Sequence, residues 1–296
     1  MKKRVLVTGG LGFIGLHLCK QLLTNQPDTE LTIVDNLSST RLDYSELLHQ
    51  ANIHIADMRV LDEANADYHE IYHLASPVGS IGILERNGYI ASDIIELATK
   101  AARLAMASGA SLLYLSSSEV YGRDGQHQEG NELVVPNKRG ARMEYSLGKL
   151  AAEHVLFNLA MDDLFKVRVV RPFNVAGEWQ SAQLGFVIPR FFNAALNGEP
   201  LTVHGDGLQR RSFCHVSDLV KGVIAVQQHA PANEVFNVGN PNNIVTIKQL
   251  AEDIVAITGS SSPIIHVDPH QTYGKRYMEA FDKIPDIEKL AQYCDW

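Results

Sequence analysis

Thr8-Gly9-Gly10-Leu11-Gly12-Phe13-Ile14-Gly15 is the stretch on which the reading of this chain turns. It follows a short β-branched run, Arg4 to Thr8, and leads into a helical pattern from Gly12 to Thr24. A strand-to-helix turn of this kind needs glycine for three separate reasons. Gly9 makes the turn, Gly12 lets a pyrophosphate approach the backbone, and Gly15 lets the helix pack on the strand. The free N–H groups and partial positive charge of the helix N-terminus then complete an anion site. The spacing is GxxGxxG rather than GxGxxG, and Phe13 and Ile14 fall inside it.

Working outward, Leu31 to Asp35 reads as the second strand, and Asp35 stands 20 residues after Gly15. A carboxylate there accepts hydrogen bonds from an adenosine ribose diol and repels a 2′-phosphate, which favours NAD over NADP. Asn36 follows it. Ile53 to Ala56 and Ile71 to Leu74 read as further strands. Asp57-Met58 after the first is expected to flank the adenine, and Leu74-Ala75-Ser76 at the end of the second to pass near the cofactor. His73 is read as a packing residue. Ile90 to Ser108 and Tyr145 to Met161 read as long helices, with strands at Ser111 to Ser116 and Lys166 to Arg171. Apolar strands alternating with helices predict an α/β chain, a Rossmann-type doubly wound parallel sheet covered on both faces.

From about Gly177 the pattern loosens into Gly, Pro, Asn and aromatic residues, with isolated helices at Ile188 to Asn197 and Ile247 to Gly259. This predicts a smaller, loop-rich C-terminal substrate lobe. The expected division is residues 1–176 for the NAD-binding domain, rejoined at about 212–240, and 177–211 with 241–296 for the lobe.

A chain of 296 residues with 45% hydrophobic and 20% charged residues can bury a sizeable core. Its net charge of -8 argues against a nucleic-acid or anionic-membrane surface, which needs clustered Lys and Arg. No apolar run approaches the roughly 20 residues of a membrane span. Met1-Lys2-Lys3-Arg4 runs through Val5-Leu6-Val7 straight into the glycine loop, too short for a secretory signal. Cys19, Cys214 and Cys294 show no metal or redox spacing. No metal and a cytoplasmic location are expected.

The chemistry lies in two segments. Ser116-Ser117-Ser118-Glu119-Val120-Tyr121-Gly122 follows an apolar strand, and Tyr145-Ser146-Leu147-Gly148-Lys149 opens a helix. Residues i and i+4 share a helix face, so Tyr145 and Lys149 can approach one cofactor together. A lysine ammonium favours the phenolate, making Tyr145 a base for a sugar hydroxyl oriented by Ser117.

These segments, with His73-Leu74-Ala75-Ser76, Arg171-Pro172-Phe173-Asn174-Val175-Ala176-Gly177, Gly205 to Leu219 and Phe236 to Pro241, resemble the extended short-chain dehydrogenase/reductase family. The resemblance is to its nucleotide-sugar epimerase, dehydratase and decarboxylase branch, over nearly the whole chain. It implies oxidation of a nucleotide-sugar at C4 to a 4-keto intermediate, a UDP-sugar being favoured, and a homodimer built on the two long helices. Their Ala-rich faces suit close packing, between copies or within one core. The same resemblance places Pro172 by the cofactor, gives Asn174 and Arg211 the substrate diphosphate, and sets Val187 and Val203 near its base. Ser118 and Glu119 fall where dehydratases and decarboxylases carry acidic or hydroxyl residues, and an acidic residue there, unnecessary for simple epimerisation, is expected to move protons near C5. Arg142-Met143-Glu144-Tyr145-Ser146-Leu147-Gly148-Lys149 resembles the R-x-x-Y-x-x-G-K of UDP-glucuronate decarboxylases, the first choice here. Dehydratase, 4-epimerase and a reductase of the same fold are the alternatives, with a non-catalytic NAD-binding scaffold the reading furthest from them.

The chain also departs from that branch. Lys283 stands where an arginine precedes the proline by two residues, and lysine lacks the bidentate fork that grips a carboxylate. Arg276 could take over. Pro77 to Ser92 lacks the usual pattern, with Asp93 near a common asparagine, and Trp296 falls about where relatives continue into a last helix.

Overall fold

Val5 and Val7 turn to one side of the first strand and Leu6 to the other, and all three are fully buried. Side chains alternate across a strand, so a strand apolar at every position must be covered on both faces. The computed structural model, which describes residues 2–39, 49–86, 88–122, 124–137, 139–274 and 282–295, shows that arrangement. Seven strands form the sheet: β1 (Lys3–Thr8), β2 (Thr29–Asp35), β3 (Asn52–Ile55), β4 (Glu70–His73), β5 (Ser111–Leu115), β6 (Lys166–Pro172) and β7 (Glu234–Val238). Their spatial order is β7-β6-β5-β4-β1-β2-β3, and every pairing is parallel. The order reverses between β1 and β4, so a crevice opens beyond the carboxyl ends of those two strands.

Helices α1 (Phe13–Asn25) and α4 (Val216–His229) cover one face, packing Leu18, Cys19, Leu22, Leu219 and Val223 against Val5, Val7, Ile33 and Phe236. Helices α2 (Ile90–Ser108) and α3 (Ala141–Leu159) cover the other against Leu6, Ile71, Leu112 and Val169. Ala98, Ala101, Ala102 and Ala105 are fully buried in that second layer. The alanine stripe of α2 is therefore used inside the chain. Glu144 of α3 fixes where α2 begins, accepting from the backbone N–H of Gly88 at 2.6 Å and Ile90 at 2.9 Å. A carboxylate at a helix N-terminus satisfies orphan donors and meets the positive end of the dipole.

The α2 boundaries are those read from the sequence. Helix α3 starts four residues earlier than expected, because Ala141, Arg142, Met143 and Glu144 already form a turn before Tyr145. The C-terminal part builds its own small core from Phe191, Ala195, Leu201, Val203, Phe213, Ile247 and Ile254. A four-stranded sheet joins Arg210–Ser212 and Ile244–Thr246 of this part to Asp282–Pro285 and, unexpectedly, to Gly125–His127 from the N-terminal half. No helix among the described residues is long and apolar enough to cross a membrane.

A Cβ on Gly148 of α3 would lie 2.8 Å from the Ala91 Cα of α2. Backbone cannot yield as a side-chain tip can, so Gly148→Val is expected to cost about 1–3 kcal/mol through overpacking. A thermal melt with an unchanged midpoint would show that the two helices do not meet as described.

Candidate active site

Gly9 adopts φ 72, and a Cβ there would come within 2.7 Å of the Ala75 backbone N. Only glycine tolerates both the left-handed conformation and so close a neighbouring strand end. At Gly15 a Cβ would lie 2.2 Å from the Gly9 carbonyl, which seats α1 directly on the turn. Gly12 has no such clash, its nearest neighbour being Gly9 O at 3.4 Å, and it faces the crevice.

That crevice is lined by Gly9, Gly12, Phe13, Ile14 and Gly15, by Asp35 and Asn36, by Asp57 and Met58, and by Leu74, Ala75 and Ser76. All the residues expected at the cofactor except Pro172, Tyr145 and Lys149 thus share one cleft at the switch point. Asp35 is nearly buried there, its Oδ2 accepting from Leu11 N at 3.0 Å and its Oδ1 from Leu37 N at 2.7 Å. Burial pushes its carboxyl up, and those backbone N–H groups oppose the shift. With Gly12 N–H as a third backbone donor, the carboxylate still has acceptor capacity left for a ribose hydroxyl. The crevice therefore fits a dinucleotide: a glycine cradle at a helix N-terminus and a carboxylate at the next strand end. Trp179, Leu184 and Phe186 complete its wall, from a loop whose sequence carried no signal of the role. His73 is buried, bonded through Nδ1 to Thr8 Oγ1 at 2.7 Å, and pushed down to about 3, first by burial.

A second crevice adjoins the first, sharing Phe13, Ile14, Val78 and Phe186. Ser117, Ser118, Glu119 and Tyr145 line it together with Pro172, Asn174, Val187 and Arg211. Pro172 thus faces this second crevice and not the first. Val203 is fully buried in the small core, because Thr202 and His204, its neighbours on the strand Leu201–His204, are the ones that turn to the crevice. Arg276 lies outside the described residues. Arg190 and Gln209 were not anticipated and line the same wall.

Tyr145 shares a hydrogen bond with Ser117, yet burial pushes its phenol above the ordinary range, and the charge on Glu119 adds to that. The expected lowering by Lys149 is not what dominates. The Lys149 ammonium lies 5.9 Å from the Tyr145 ring centre and donates to the Leu115 carbonyl at 2.8 Å. Its own proton affinity is pushed down to about 7 by burial, which outweighs the upward pull of Glu153.

Glu119 was expected to move protons. Arg142 grips it with two bonds of 2.7 Å, and Lys283 adds a third contact of 2.7 Å on Oε1. Burial alone would raise the Glu119 carboxyl, but these two cations outweigh it and hold the group well below the usual carboxylate range. Lys283, nearly inaccessible, is pushed down to about 8. It sits behind Glu119 and off the crevice wall, so it is not placed to meet a substrate carboxylate directly. Asn174 reaches Ser212 O through Nδ2 at 3.3 Å, and Arg211 Nη1 donates to Arg210 O at 2.8 Å.

A dinucleotide cleft at a sheet switch point, with an adjoining crevice that carries Ser117 and Tyr145, defines a protein of the short-chain dehydrogenase/reductase type. Residues 5–239 match the model of the NAD dependent epimerase/dehydratase family. UDP-N-acetyl-alpha-D-glucosaminuronate decarboxylase of Bacillus cytotoxicus is 33% identical over 310 residues, covering 100% of this chain and 93% of that one. UDP-glucuronic acid decarboxylase 1 of Xenopus tropicalis is 33% identical over 304 residues, covering 100% and 68%. The UDP-N-acetylglucosamine 4-epimerase of Methanobrevibacter ruminantium M1, solved with UDP-N-acetylmuramic acid, superposes with a TM-score of 0.85 at 28% identity, covering 99% of this chain and 92% of that one. The chain belongs to the NAD dependent epimerase/dehydratase family, and is an NAD-dependent enzyme by that membership.

Replacing Asp35 by Ala is expected to weaken NAD about 10- to 100-fold, or about 1.4–2.8 kcal/mol. Calorimetry giving wild-type affinity would remove Asp35 from the site.

Proposed function

We propose that the enzyme decarboxylates a UDP-uronate through its 4-ketone. The observation that carries this reading is the state of Glu119, ionised between Arg142 and Lys283 beside Ser117 and Tyr145. Dehydration needs a base at C5 and an acid to protonate the departing hydroxyl. An ionised Glu119 can serve only as the base, and Ser118 beside it in the crevice is a hydroxyl and not a carboxylic acid. Loss of carbon dioxide needs none, because the electrons of the breaking C5–C6 bond flow into the C4 carbonyl. Arg142, Arg190 and Arg211 face the crevice, with Lys283 behind, against Glu119 as the one negative charge among the described residues that line it. Such an excess suits a diphosphate carrying a third negative charge on its sugar. The two decarboxylases aligned over the full length of this chain support the same choice.

In this reading Gly9, Gly12, Phe13, Ile14, Gly15, Asp35, Asn36, Asp57, Met58, Leu74, Ala75 and Ser76 hold NAD, which supplies a hydride acceptor and donor for C4. Tyr145 takes the proton of the C4 hydroxyl, and Ser117 orients that oxygen. Lys149 stabilises the phenolate electrostatically, against the burial that raises the phenol. Both hydroxyl groups then hold the enolate oxygen as carbon dioxide leaves. C5 takes a proton from solvent to regenerate the 4-ketone, and Tyr145 gives its proton back to the C4 oxygen as the hydride would return to C4. Asn174 and Arg211 hold the diphosphate, with Val187 at the nucleotide end. Residues 1–176 and 212–240 form the cofactor half, and 177–211 with 241–296 the substrate half. Two copies would pair through the outward surfaces of α2 and α3, since the alanine stripe is already buried.

The purified enzyme should release carbon dioxide from UDP-glucuronate or its 2-acetamido counterpart, seen as a mass loss of the sugar. Loss of water from UDP-glucose or dTDP-glucose instead, or no mass change with any of the four, would overturn the choice.

Tyr145→Phe should lower turnover about 10²- to 10⁴-fold while NAD stays bound. Wild-type turnover in that variant would remove Tyr145 from its role.

A further inference from the structure

Lys149 and Glu153 stand one turn apart on the inward face of α3, both almost wholly buried. They grip the same end of β5. The Lys149 ammonium donates to the Leu115 carbonyl at 2.8 Å, and the Ser116 hydroxyl donates to Glu153 Oε1. Arg171, at the end of β6, holds Glu153 from the other side, Nε to Oε1 at 3.0 Å and Nη2 to Oε2 at 2.6 Å. The Arg171 guanidinium in turn lies 4.9 Å from the centre of the Tyr121 ring.

The position of this cluster matters more than its strength. Ser117 follows Ser116 directly, and Tyr145 precedes Lys149 by one turn. A strand end and a helix stapled together at Leu115 and Ser116 have little freedom to separate at Ser117 and Tyr145. A buried ion pair is often no more stabilising than two apolar side chains of the same volume. What an apolar pair could not supply is a negative charge four residues from the catalytic lysine.

We propose that Glu153, held by Arg171, is a positioning residue of the reaction: it registers β5 against α3 so that Ser117 meets Tyr145, and it supplies the anion against which the Lys149 ammonium is held. This rests on Tyr145 and Lys149 being the catalytic pair, and not on which sugar is bound.

The groups facing Lys149 make its dependence on Glu153 specific. Tyr145 and Glu153 face it from α3, Tyr114 from β5 with its ring centre 4.9 Å from the ammonium, and His73 from β4. Burial pushes both phenols up and the His73 imidazole down, so all three are neutral near pH 7. Burial lowers the Lys149 proton affinity, and Glu153 is the group that raises it. Removing the Glu153 charge leaves burial unopposed and the Arg171 cation uncompensated, so Lys149 should lose its proton at lower pH. Removing the Arg171 charge frees the full field of Glu153, so Lys149 should hold its proton to higher pH. The two variants move it in opposite directions.

The test is a ¹⁵N NMR titration of the lysine Nζ resonances in the full-length chain, with Lys149 identified by its loss in Lys149→Met. Glu153→Gln should shift the Lys149 midpoint down and Arg171→Gln should shift it up, each by about 1 pH unit. Glu153→Asp should stay near wild type, and the double variant Glu153→Gln/Arg171→Gln should fall between Glu153→Gln and wild type. A midpoint that stays put, or moves the same way in both single variants, overturns the proposal. If a single variant does not fold, as an unpaired buried charge can cause, the double variant decides: a midpoint below wild type supports the role, and an unchanged one ends it. No substrate is needed, so a wrong sugar assignment would leave this readout intact.

Discussion

A lysine ammonium has been taken out of water at the carboxyl edge of a parallel sheet, and the surrounding architecture has to replace the water it lost. Lys149 is almost wholly buried. Isolated, it would shed its proton, since burial penalises the charged form. The protein answers with a backbone carbonyl at the end of β5, a tyrosine ring beside it and a carboxylate one turn along the helix. Each of these comes from an element whose position is otherwise set by apolar packing: β5 between β4 and β6, and α3 on the layer shared with α2. The polar site is thus an edge feature of a hydrophobic sandwich, held rigid by the layers beneath it.

Two carboxylates near that edge are held in different ways. Glu153 is enclosed, paired with one arginine and one serine, and turned away from both crevices. Glu119 is partly open to the sugar crevice and outnumbered by two cations. The first can act only through its neighbours. The second can meet a substrate, but as a fixed anion. In the proposed reaction the proton therefore comes and goes through Tyr145 and its hydrogen-bond partner Ser117.

How much of this was legible depended on sequence distance. The glycine loop, Asp35 and helix α2 are local patterns, and each lies where its residues placed it. The start of α3 was missed because its N-cap is Gly140, with no side-chain cap to mark where the helix begins. Val203 failed on parity: along a strand, a shift of one residue exchanges crevice for core. The pairing of Gly125–His127 with Asp282–Pro285 joins segments more than 150 residues apart through three-residue contacts, too short for any periodicity to show. The clamp on Glu119 was half visible, since Arg142 precedes Tyr145 by one turn of the same helix. Its other half, Lys283, reaches Glu119 only because that long-range sheet forms.

Lysine at position 283 changes what the clamp can do. An arginine there would stay charged at any physiological pH and could hold a carboxylate with two bonds. Lys283 makes one contact and, buried, is pushed down to about 8. Arg142, by contrast, keeps its charge and both of its bonds. The restraint on Glu119 is therefore permanent on the helix side and titratable on the side of the small sheet. Lys149, one helical turn beyond Tyr145, is pushed down to about 7. Both lysines of the site thus lose charge on passing from neutral to mildly alkaline conditions. Tyr145 loses its supporting cation over that interval, and Glu119 loses one of two. The three arginines facing the sugar crevice keep their charge throughout, so the cation excess there is reduced on the alkaline side and not removed.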